Sequence, residues 1–320
     1  MKMKNRFKII NIFLVIVLII LIITGCKNSP QATEPDDLEN TEDGSFSVTL
    51  TDQIGREVAI EKLPERIVSL APSNTEILYA LGLEEKIVGV TDYCDYPEAA
   101  KNKEKIGGFS EPNIEKIVSV KPDLVVATNM HQKSVEELEK LNIPSVVLDP
   151  KDFDEMFASI EIIGKATGQQ DEALTLIKNL KARMENVEDV VAKVKLDKRP
   201  KVYYEIWPSP ITTSGPGTFV DDIIQRAGGE NIAKDAQKAY PQYSQEMIID
   251  KNPDFIIFSH HGSSNQSIED VITRQGWENI NAIKNKKVFY LDENLVQRAT
   301  PRLVDGLEKF VEILYPELFK

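Results

Sequence analysis

Apolar residues recur every three or four positions along residues 168–196, and lysine, glutamate, aspartate and asparagine fill most positions between them. The apolar series is Ala173, Leu176, Ile177, Leu180, Met184, Val187, Val190, Val191 and Val194. This spacing predicts an amphipathic helix, which would span about 35 to 40 Å, the width of a small domain. We therefore predict a stiff linking helix at residues 168–198 that joins two lobes. The alternative is a long surface helix within one large domain.

Short apolar runs alternate with helical patterns on both sides of this helix. Strands are expected at residues 67–70, 87–90, 124–127, 146–148, 202–204, 255–258 and 288–290, after a hairpin at residues 46–60. Because strands and helices alternate, parallel sheets are expected. The sequence thus predicts an α/β fold of two Rossmann-like lobes, at residues 46–167 and 199–320, joined by one long helix.

One segment of the first lobe repeats in the second. Residues 115–126 align without gaps on residues 246–257, and in both copies a Glu lies seven residues before a Pro-Asp pair. Asn113 and Ser244 precede Glu115 and Glu246 by two positions and can cap short helices. Each Glu then lies in a first helical turn, where the helix dipole favours it without any partner. Alternatively, two alike lobes would present a spaced pair of acids to two cationic sites on a two-fold partner.

The first 25 residues have the pattern of a secretory signal peptide, with four cations before an unbroken apolar run at residues 12–23. Residues 23–26, Ile-Thr-Gly-Cys, resemble a bacterial lipobox, in which the cysteine is lipidated and becomes the new N-terminus. The alternative is an ordinary cleaved signal with an incidental cysteine. Residues 26–45 are polar and acidic, and we predict a disordered tether there.

The charge balance excludes some partners. The full chain carries a formal charge of −13, and removal of the four leader cations leaves about −17. This argues against nucleic acid and against a basic patch for membrane surfaces. Only Cys94 remains beside Cys26, so no intrachain disulfide is expected, and we interpret Cys94 as a free, partly buried thiol rather than a nucleophile.

Several motifs resemble the cobalamin and iron-siderophore class of ABC-transporter substrate-binding proteins. They are RIVSLAPSNTEIL at residues 66–78, GVTDYCDYP at 89–97, the Gly-Gly-Phe at 107–109, TSGPGTF at 213–219, GGENI at 228–232 and RATPR at 298–302. The resemblance covers about residues 46–320 in the family's order, and the DYxDYP signature at 92–97 is most similar to the cobalamin branch.

The resemblance implies a two-lobed binder of the helical-backbone type, class III among periplasmic binding proteins, with the ligand held in the cleft and little closure. It implies that Glu115 and Glu246 dock onto arginines of a permease dimer that works with an ATPase. The protein would be a monomer outside the cytoplasm, anchored to the membrane through lipidated Cys26, that needs no cofactor of its own and delivers cobalamin or a related corrinoid.

Candidate ligand-binding residues carry over from the same motifs. They are Tyr93, Tyr96, Phe109, Trp207, Tyr240 and Arg298. Each aromatic residue could instead pack within its lobe, and Arg298 could form a salt bridge, whereas Arg302 is expected to cap or pair within its own lobe. Trp277 is expected to be peripheral.

The chain also departs from the cobalamin pattern. Asn294, Leu295 and Val296 stand where the family prototype has an acidic residue and an aromatic pair. A ferric siderophore or haem therefore remains an alternative ligand, although a siderophore favours several cationic groups and haem favours an axial Tyr or His.

The sequence gives little support for a catalytic site or a metal site. The chain has no nucleophile elbow, phosphate loop, zincin motif or dinucleotide fingerprint. Its three histidines, His131, His260 and His261, lack the spacing of a metal site, so no resident metal is expected. A lipid-anchored hydrolase is the alternative function from another class, but no nucleophile with a suitable base stands out.

Overall fold

The computed structural model describes residues 46–195, 198–260 and 267–319, and these belong to one compact unit, Glu39–Lys320. The predicted signal peptide, Cys26 and the predicted tether lie outside the described residues, as does His261. The expectations for those segments therefore stay predictions.

A hairpin opens the N-terminal lobe, and a parallel sheet follows it. The strands are β1 (Val48–Thr51), β2 (Glu57–Ile60), β3 (Ile67–Ser69), β4 (Ile87–Val90), β5 (Leu124–Thr128) and β6 (Ser145–Leu148). Strands β1 and β2 are antiparallel, and the parallel sheet has the order β4-β3-β5-β6. Nearly all residues of the four parallel strands are buried, as expected of a sheet that is covered on both faces.

Three helices connect these strands. They are α1 (Pro72–Ala80), α2 (Ile114–Ser119) and α3 (Gln132–Lys140). Helix α2 begins where the repeat predicts it, because the Asn113 side chain accepts a hydrogen bond from the Lys116 amide. Helix α1 has no side-chain cap, and its N-cap is Ala71. The first turn of α1 therefore keeps amide groups that its own side chains do not satisfy.

Two consecutive helices carry the chain toward the second lobe. Helix α4 (Phe153–Thr167) begins at Asp152, whose carboxylate accepts a bond from the Glu155 amide, and ends at Gly168 in the left-handed conformation. Helix α5 (Gln170–Val191) is the long linking helix. The two helices pack closely at Gly164, where an added Cβ would lie 2.5 Å from the Cβ of Ala173. Glycine is therefore required at this crossing.

The C-terminal lobe repeats the plan. Its strands are β7 (Lys201–Pro208), β8 (Ile211–Thr213), β9 (Glu230–Asn231), β10 (Phe255–Phe258) and β11 (Val288–Tyr290). Its helices are α6 (Phe219–Arg226), α7 (Gln245–Lys251), α8 (Ile268–Ile272), α9 (Asn281–Lys284) and α10 (Leu303–Leu314). The sheet has the order β11-β10-β7-β8, with β8 antiparallel to β7, and β9 pairs with β7 in parallel. The predicted α/β class with a long connecting helix is confirmed.

One apolar core runs through both lobes. It includes Ile67 and Leu124 of the first sheet, Leu180 of helix α5, and Tyr204 and Leu307 of the second lobe. A smaller cluster lies within each lobe. Because α5 contributes buried residues along its whole length, it belongs to the core that the lobes share.

Three local expectations are wrong. The linking helix spans Gln170–Val191 rather than residues 168–198, because the chain after Val191 forms shorter hydrogen-bonded turns, from Lys193 to Val190 and from Val194 to Val191. Trp277 is not peripheral: it is fully buried in the smaller core of the C-terminal lobe. Cys94 is completely rather than partly buried.

Candidate functional site

A cavity of about 730 Å³ lies where the two lobes face each other. Its N-terminal wall is formed at the carboxyl ends of β3, β5 and β6, at Ala71, Thr128 and Leu148, and by the first turn of α1. Its C-terminal wall is formed by Phe219, at the start of α6, and by residues 297–299. Loops at the carboxyl ends of parallel strands are the usual position of ligand sites in α/β proteins.

Two of the predicted aromatic residues line this cavity. Tyr93 follows β4 and is 61 % exposed, and Phe109 follows the Gly107-Gly108 turn. Gly107 has a positive φ of 110°, a conformation that side chains disfavour, so glycine sets the path of this turn. The apolar lining also includes Ile77 and Leu148.

His131 fixes the loop that carries Phe109. Its Nδ1 accepts a hydrogen bond from the Thr128 amide at 3.0 Å, so Nε2 carries the proton and donates it to the Phe109 carbonyl at 2.6 Å. The rings of His131 and Phe109 also meet edge to face at 5.4 Å. Burial lowers the pKa of His131, and the bond to the Phe109 carbonyl opposes this effect only in part. His131 is therefore a neutral positioning residue of the cavity wall.

Cys94 and Lys105 hold the loop at residues 91–97 from its inner side. The Cys94 thiol lies 3.1 Å from the Thr75 hydroxyl and 3.2 Å from the Thr91 hydroxyl. The Lys105 ammonium donates to the carbonyls of Cys94 and Ala100, both at 3.3 Å. These bonds fix the loop from its buried side. The Tyr93 side chain, on the other side of the loop, lines the cavity.

Four charged residues bridge the lobes at the edge of the cavity, and we call them the interlobe ion-pair cluster: Glu76, Asp95, Arg298 and Arg302. Arg302 binds the Glu76 carboxylate through Nε at 2.7 Å and Nη2 at 2.6 Å. Arg298 binds Asp95 at 2.7 Å and Glu76 at 3.3 Å through Nη1. The expectation that Arg302 pairs within its own lobe is therefore wrong, because its partner lies on α1.

The cluster also holds the Asp95 carboxylate in its charged form. Burial alone would raise the pKa of Asp95, but the bond and charge of Arg298 outweigh it and hold that pKa below its ordinary value. Glu76 is only 4 % exposed, and its charge is neutralised by the two arginines. A buried carboxylate needs such partners, since an unpaired charge in the interior is costly.

The other predicted ligand residues lie elsewhere. Tyr96 packs under Arg302, with the guanidinium carbon 3.7 Å from the ring centre. Trp207 is 42 % exposed and donates from Nε1 to the Ser209 carbonyl, and Tyr240 is 62 % exposed. The described lining of the cavity contains Tyr93, Phe109 and Arg298 but not these three.

Sequence reasoning overlooked several residues of this site. Asn74 lines the cavity while its side-chain amide donates to the Ala127 carbonyl at 3.0 Å, and Gln297 lines it while donating to the Tyr204 hydroxyl at 3.0 Å. Glu76 could have been found, because a carboxylate beside Ile77 and Leu78 on a buried helical face needs a cationic partner.

Glu115 and Glu246 are exposed in the first turns of α2 and α7. Ser244 caps α7 as Asn113 caps α2, through a bond from the Met247 amide at 3.3 Å. Backbone hydrogen bonding and the Ser244 side chain lower the pKa of Glu246 below its ordinary value. Both acids therefore project into solvent from matching elements of the two lobes.

A buried polar cluster is centred on Glu205, within β7. Glu205 accepts bonds from the two terminal nitrogens of Arg274, at 2.5 and 2.6 Å, and from the Tyr203 hydroxyl at 2.8 Å. His260 lies 2.9 Å away from Glu205 through Nε2. Within residues 46–195, 198–260 and 267–319, no group of three or more His, Cys, Asp or Glu side chains is placed to hold a metal ion.

The fold and the cleft define a two-lobed solute-binding protein whose lobes are joined by a single long helix. The chain belongs to the periplasmic binding protein family, whose model matches residues 67–295. In the part of the chain that the structure describes, no helix is both long and apolar enough to cross a membrane.

Similarity to individual proteins narrows this class. The chain is 36 % identical over 324 residues to an uncharacterized ABC transporter substrate-binding lipoprotein, YvrC, of Bacillus subtilis, with 99 % of this chain and 100 % of the relative covered. The protein is thus the substrate-binding component of an ABC transporter. The expectation of a binding protein rather than an enzyme is confirmed, because such relatives bind solutes.

Two solved structures share the fold over most of the chain. A possible iron-binding (periplasmic solute-binding) protein of Staphylococcus epidermidis is 32 % identical with a TM-score of 0.70, covering 79 % of this chain and 100 % of that one. The periplasmic vitamin B12 binding protein BtuF of Vibrio cholerae is 29 % identical with a TM-score of 0.68, covering 80 % and 98 %.

Proposed function

We propose that this protein captures a corrinoid, cobalamin or a close relative, in the cleft between its lobes and delivers it to a two-fold ABC permease. The observation that carries the proposal is the charge of the cleft. Of the described residues that line the cavity, Arg298 is the one cationic side chain, and it is bound to Asp95 and Glu76. Glu111 and Asp149 are the other charged lining residues. The described lining therefore leaves no unpaired cation for an anionic ligand, which agrees with an uncharged one.

The shape and chemistry of the lining also support a corrinoid. Tyr93, Phe109 and Phe219 offer aromatic surface for the face of a large macrocycle. Asn74 and Gln297 add polar amide groups to the lining, and a corrinoid carries amide side chains at the edge of its ring. Similarity to the vitamin B12 binding protein of Vibrio cholerae supports the same ligand class.

A ferric siderophore or haem is the second candidate, and similarity to the protein of Staphylococcus epidermidis favours it. Siderophore complexes and haem carry catecholates, hydroxamates or carboxylates, and anionic forms of them need cations in the cleft. A haem iron would also take an axial ligand, for which Tyr93 is the candidate in the cavity wall.

The delivery step would use the N-terminal lipid anchor and the two exposed acids of the lobes. Lipidation of Cys26 and a tether at residues 26–45 would keep the protein at the outer face of the membrane. Glu115 and Glu246 would dock onto cationic sites of the permease dimer. Replacement of Cys26 by Ser should release the protein from the membrane fraction, and retention of that variant would contradict lipid anchoring.

Titration of the chain from Lys27 onward with cyanocobalamin and dicyanocobinamide tests the ligand, with absorbance and calorimetry as readouts. We expect one-to-one binding with a Kd below about 1 μM, and a loss of at least about tenfold in Tyr93→Ala. Leu141→Ala, an exposed apolar residue outside the cavity, is the matched control and should bind normally. Binding of haemin or a ferric siderophore but of neither corrinoid would overturn the proposal in favour of the second candidate.

A further inference from the structure

In the interlobe ion-pair cluster, the two arginines of the second lobe at the cleft are bound to acids of the first lobe. Arg298 lines the cavity, yet its Nη1 is shared between the Asp95 and Glu76 carboxylates. Arg302 donates from two nitrogens to the Glu76 carboxylate and lies against the ring of Tyr96. Two acids of one lobe thus balance two arginines of the other.

Burial makes this pairing hard to break. The Glu76 side chain is 2 % exposed, and those of Arg298 and Arg302 are 19 % and 16 % exposed. Separation of a buried carboxylate from its cations leaves an uncompensated charge, which costs far more than separation of a surface pair. A ligand that seeks Arg298 must therefore displace a carboxylate that is already in place.

The rest of the lining adds to this barrier. A ligand carboxylate or catecholate near Arg298 would share the cavity with Glu111, which has the same sign of charge, while Asp149, the other acid of the lining, is paired with Lys151 at 2.6 Å. Like charges in a partly desolvated cleft repel one another more strongly than in water. The residues of the two lobes thus combine to disfavour anions.

We propose that Asp95 and Glu76 are specificity-determining residues: by neutralising Arg298 and Arg302 they make the cleft select against anionic ligands. This inference rests on the proposed function only in taking the cleft as the ligand site. It assigns the cleft the ability to reject haem carboxylates and anionic siderophores, and it explains why a chain with two arginines at the cleft would still take an uncharged ligand.

Asp95→Asn is the decisive variant, because Asp95 is half-exposed and its loss leaves Glu76 paired. The probes are haemin, which carries two carboxylates, and cyanocobalamin, which is uncharged overall. We expect haemin to bind about tenfold more tightly to Asp95→Asn than to the wild type, with the gain lost in about 0.5 M salt. Cyanocobalamin is the uncharged reference, and the readout is the ratio of haemin to cyanocobalamin affinity, which should rise about tenfold in Asp95→Asn.

Two control variants isolate the cause. Glu98→Gln removes one negative charge from the neighbouring exposed helical turn, where Glu98 pairs only with Lys101 among the described side chains, and it should not change haemin affinity. The double variant Asp95→Asn with Arg298→Gln should lose the gain. The proposal is overturned if Asp95→Asn binds haemin like the wild type, or if the gain persists without Arg298.

A measurement without corrinoid separates this inference from the ligand assignment. Citrate, a tricarboxylate, should raise the Tm of Asp95→Asn but leave the Tm of the wild type and of Glu98→Gln unchanged. If the wild type fails to bind cyanocobalamin while this citrate pattern holds, the corrinoid assignment fails and the selection against anions stands. An equal citrate effect on all three proteins overturns the inference whatever the corrinoid result.

Discussion

His131 and Phe109 are joined twice, by a hydrogen bond of 2.6 Å from the imidazole to the Phe109 carbonyl and by contact between their rings. The bond requires the neutral imidazole with its proton on Nε2, because the other nitrogen accepts from the Thr128 amide. Protonation of Nδ1 would turn this acceptor into a donor, which would then face the N–H donor of Thr128. The cavity wall therefore depends on the protonation state of one histidine.

This relationship predicts an acid-sensitive contribution to stability. Because burial lowers the pKa of His131, the contribution is complete above the ordinary histidine pKa of about 6.5 and is lost as the pH falls below it toward the lower folded value. Urea unfolding at pH 7.5 and pH 5 should show a smaller loss of stability on acidification in His131→Asn than in the wild type. Equal losses in both proteins would contradict the assignment.

Glu115 and Glu246 should matter for transport and not for ligand binding. Alanine at either position removes an exposed carboxylate that is not part of the described cavity lining, so ligand affinity should stay within about twofold. Uptake at limiting ligand should fall severalfold in each single variant and further in the double variant. Glu185→Ala, an exposed acid on the linking helix, serves as the control and should transport normally. Normal uptake by the double variant would refute the docking role.

The linking helix offers a matched pair of leucines. Leu180 is buried in the shared core and Leu174 is 48 % exposed on the same helix. Leu180→Ala should reduce the free energy of unfolding by about 2 to 5 kcal/mol, since it removes packed methyl groups and leaves a cavity. Leu174→Ala should change it by less than about 0.5 kcal/mol. Similar effects at both positions would mean that the helix lies outside the core.

Glu205 should be far more important for stability than a surface acid. Burial would raise its pKa, but the bonds from Arg274 and His260 outweigh that effect and keep the carboxylate charged. Glu205→Gln leaves the half-buried Arg274 without its counter-charge and should cost about 3 to 5 kcal/mol in thermal or urea unfolding. Glu230→Gln breaks the exposed pair with Lys234 and should leave stability unchanged. A small effect at Glu205 would contradict the buried ion pair.

Local patterns in the sequence were sufficient to predict the helices and strands, but not the contacts between them. The period of the apolar residues located helix α5. The helix ends at Val191 in shorter hydrogen-bonded turns, and no Gly or Pro in the sequence marks that position. The repeat located the caps at Asn113 and Ser244, because a cap and its helix are adjacent in the chain.

The candidate site shows the same limit. Tyr93 and Phe109, which the resemblance implies as ligand contacts, line the cavity, because the motifs that carry them lie in loops after strands. The partner of Arg302 was predicted wrongly, because Glu76 lies 226 residues away in the other lobe and only the packed lobes bring them together. Whether Trp207 and Tyr240 contact a ligand stays a prediction.

The apolar core that passes through helix α5 into both lobes has a consequence for folding. Each lobe on its own would expose the apolar surface that it now shares with α5 and with the other lobe. The lobes should therefore melt together in one calorimetric transition, and neither half should be soluble as a separate fragment. In such a cooperative unit, opening of the cleft should begin at its edge, at the interlobe ion-pair cluster, because separation of the lobes at the helix would expose the shared core to water.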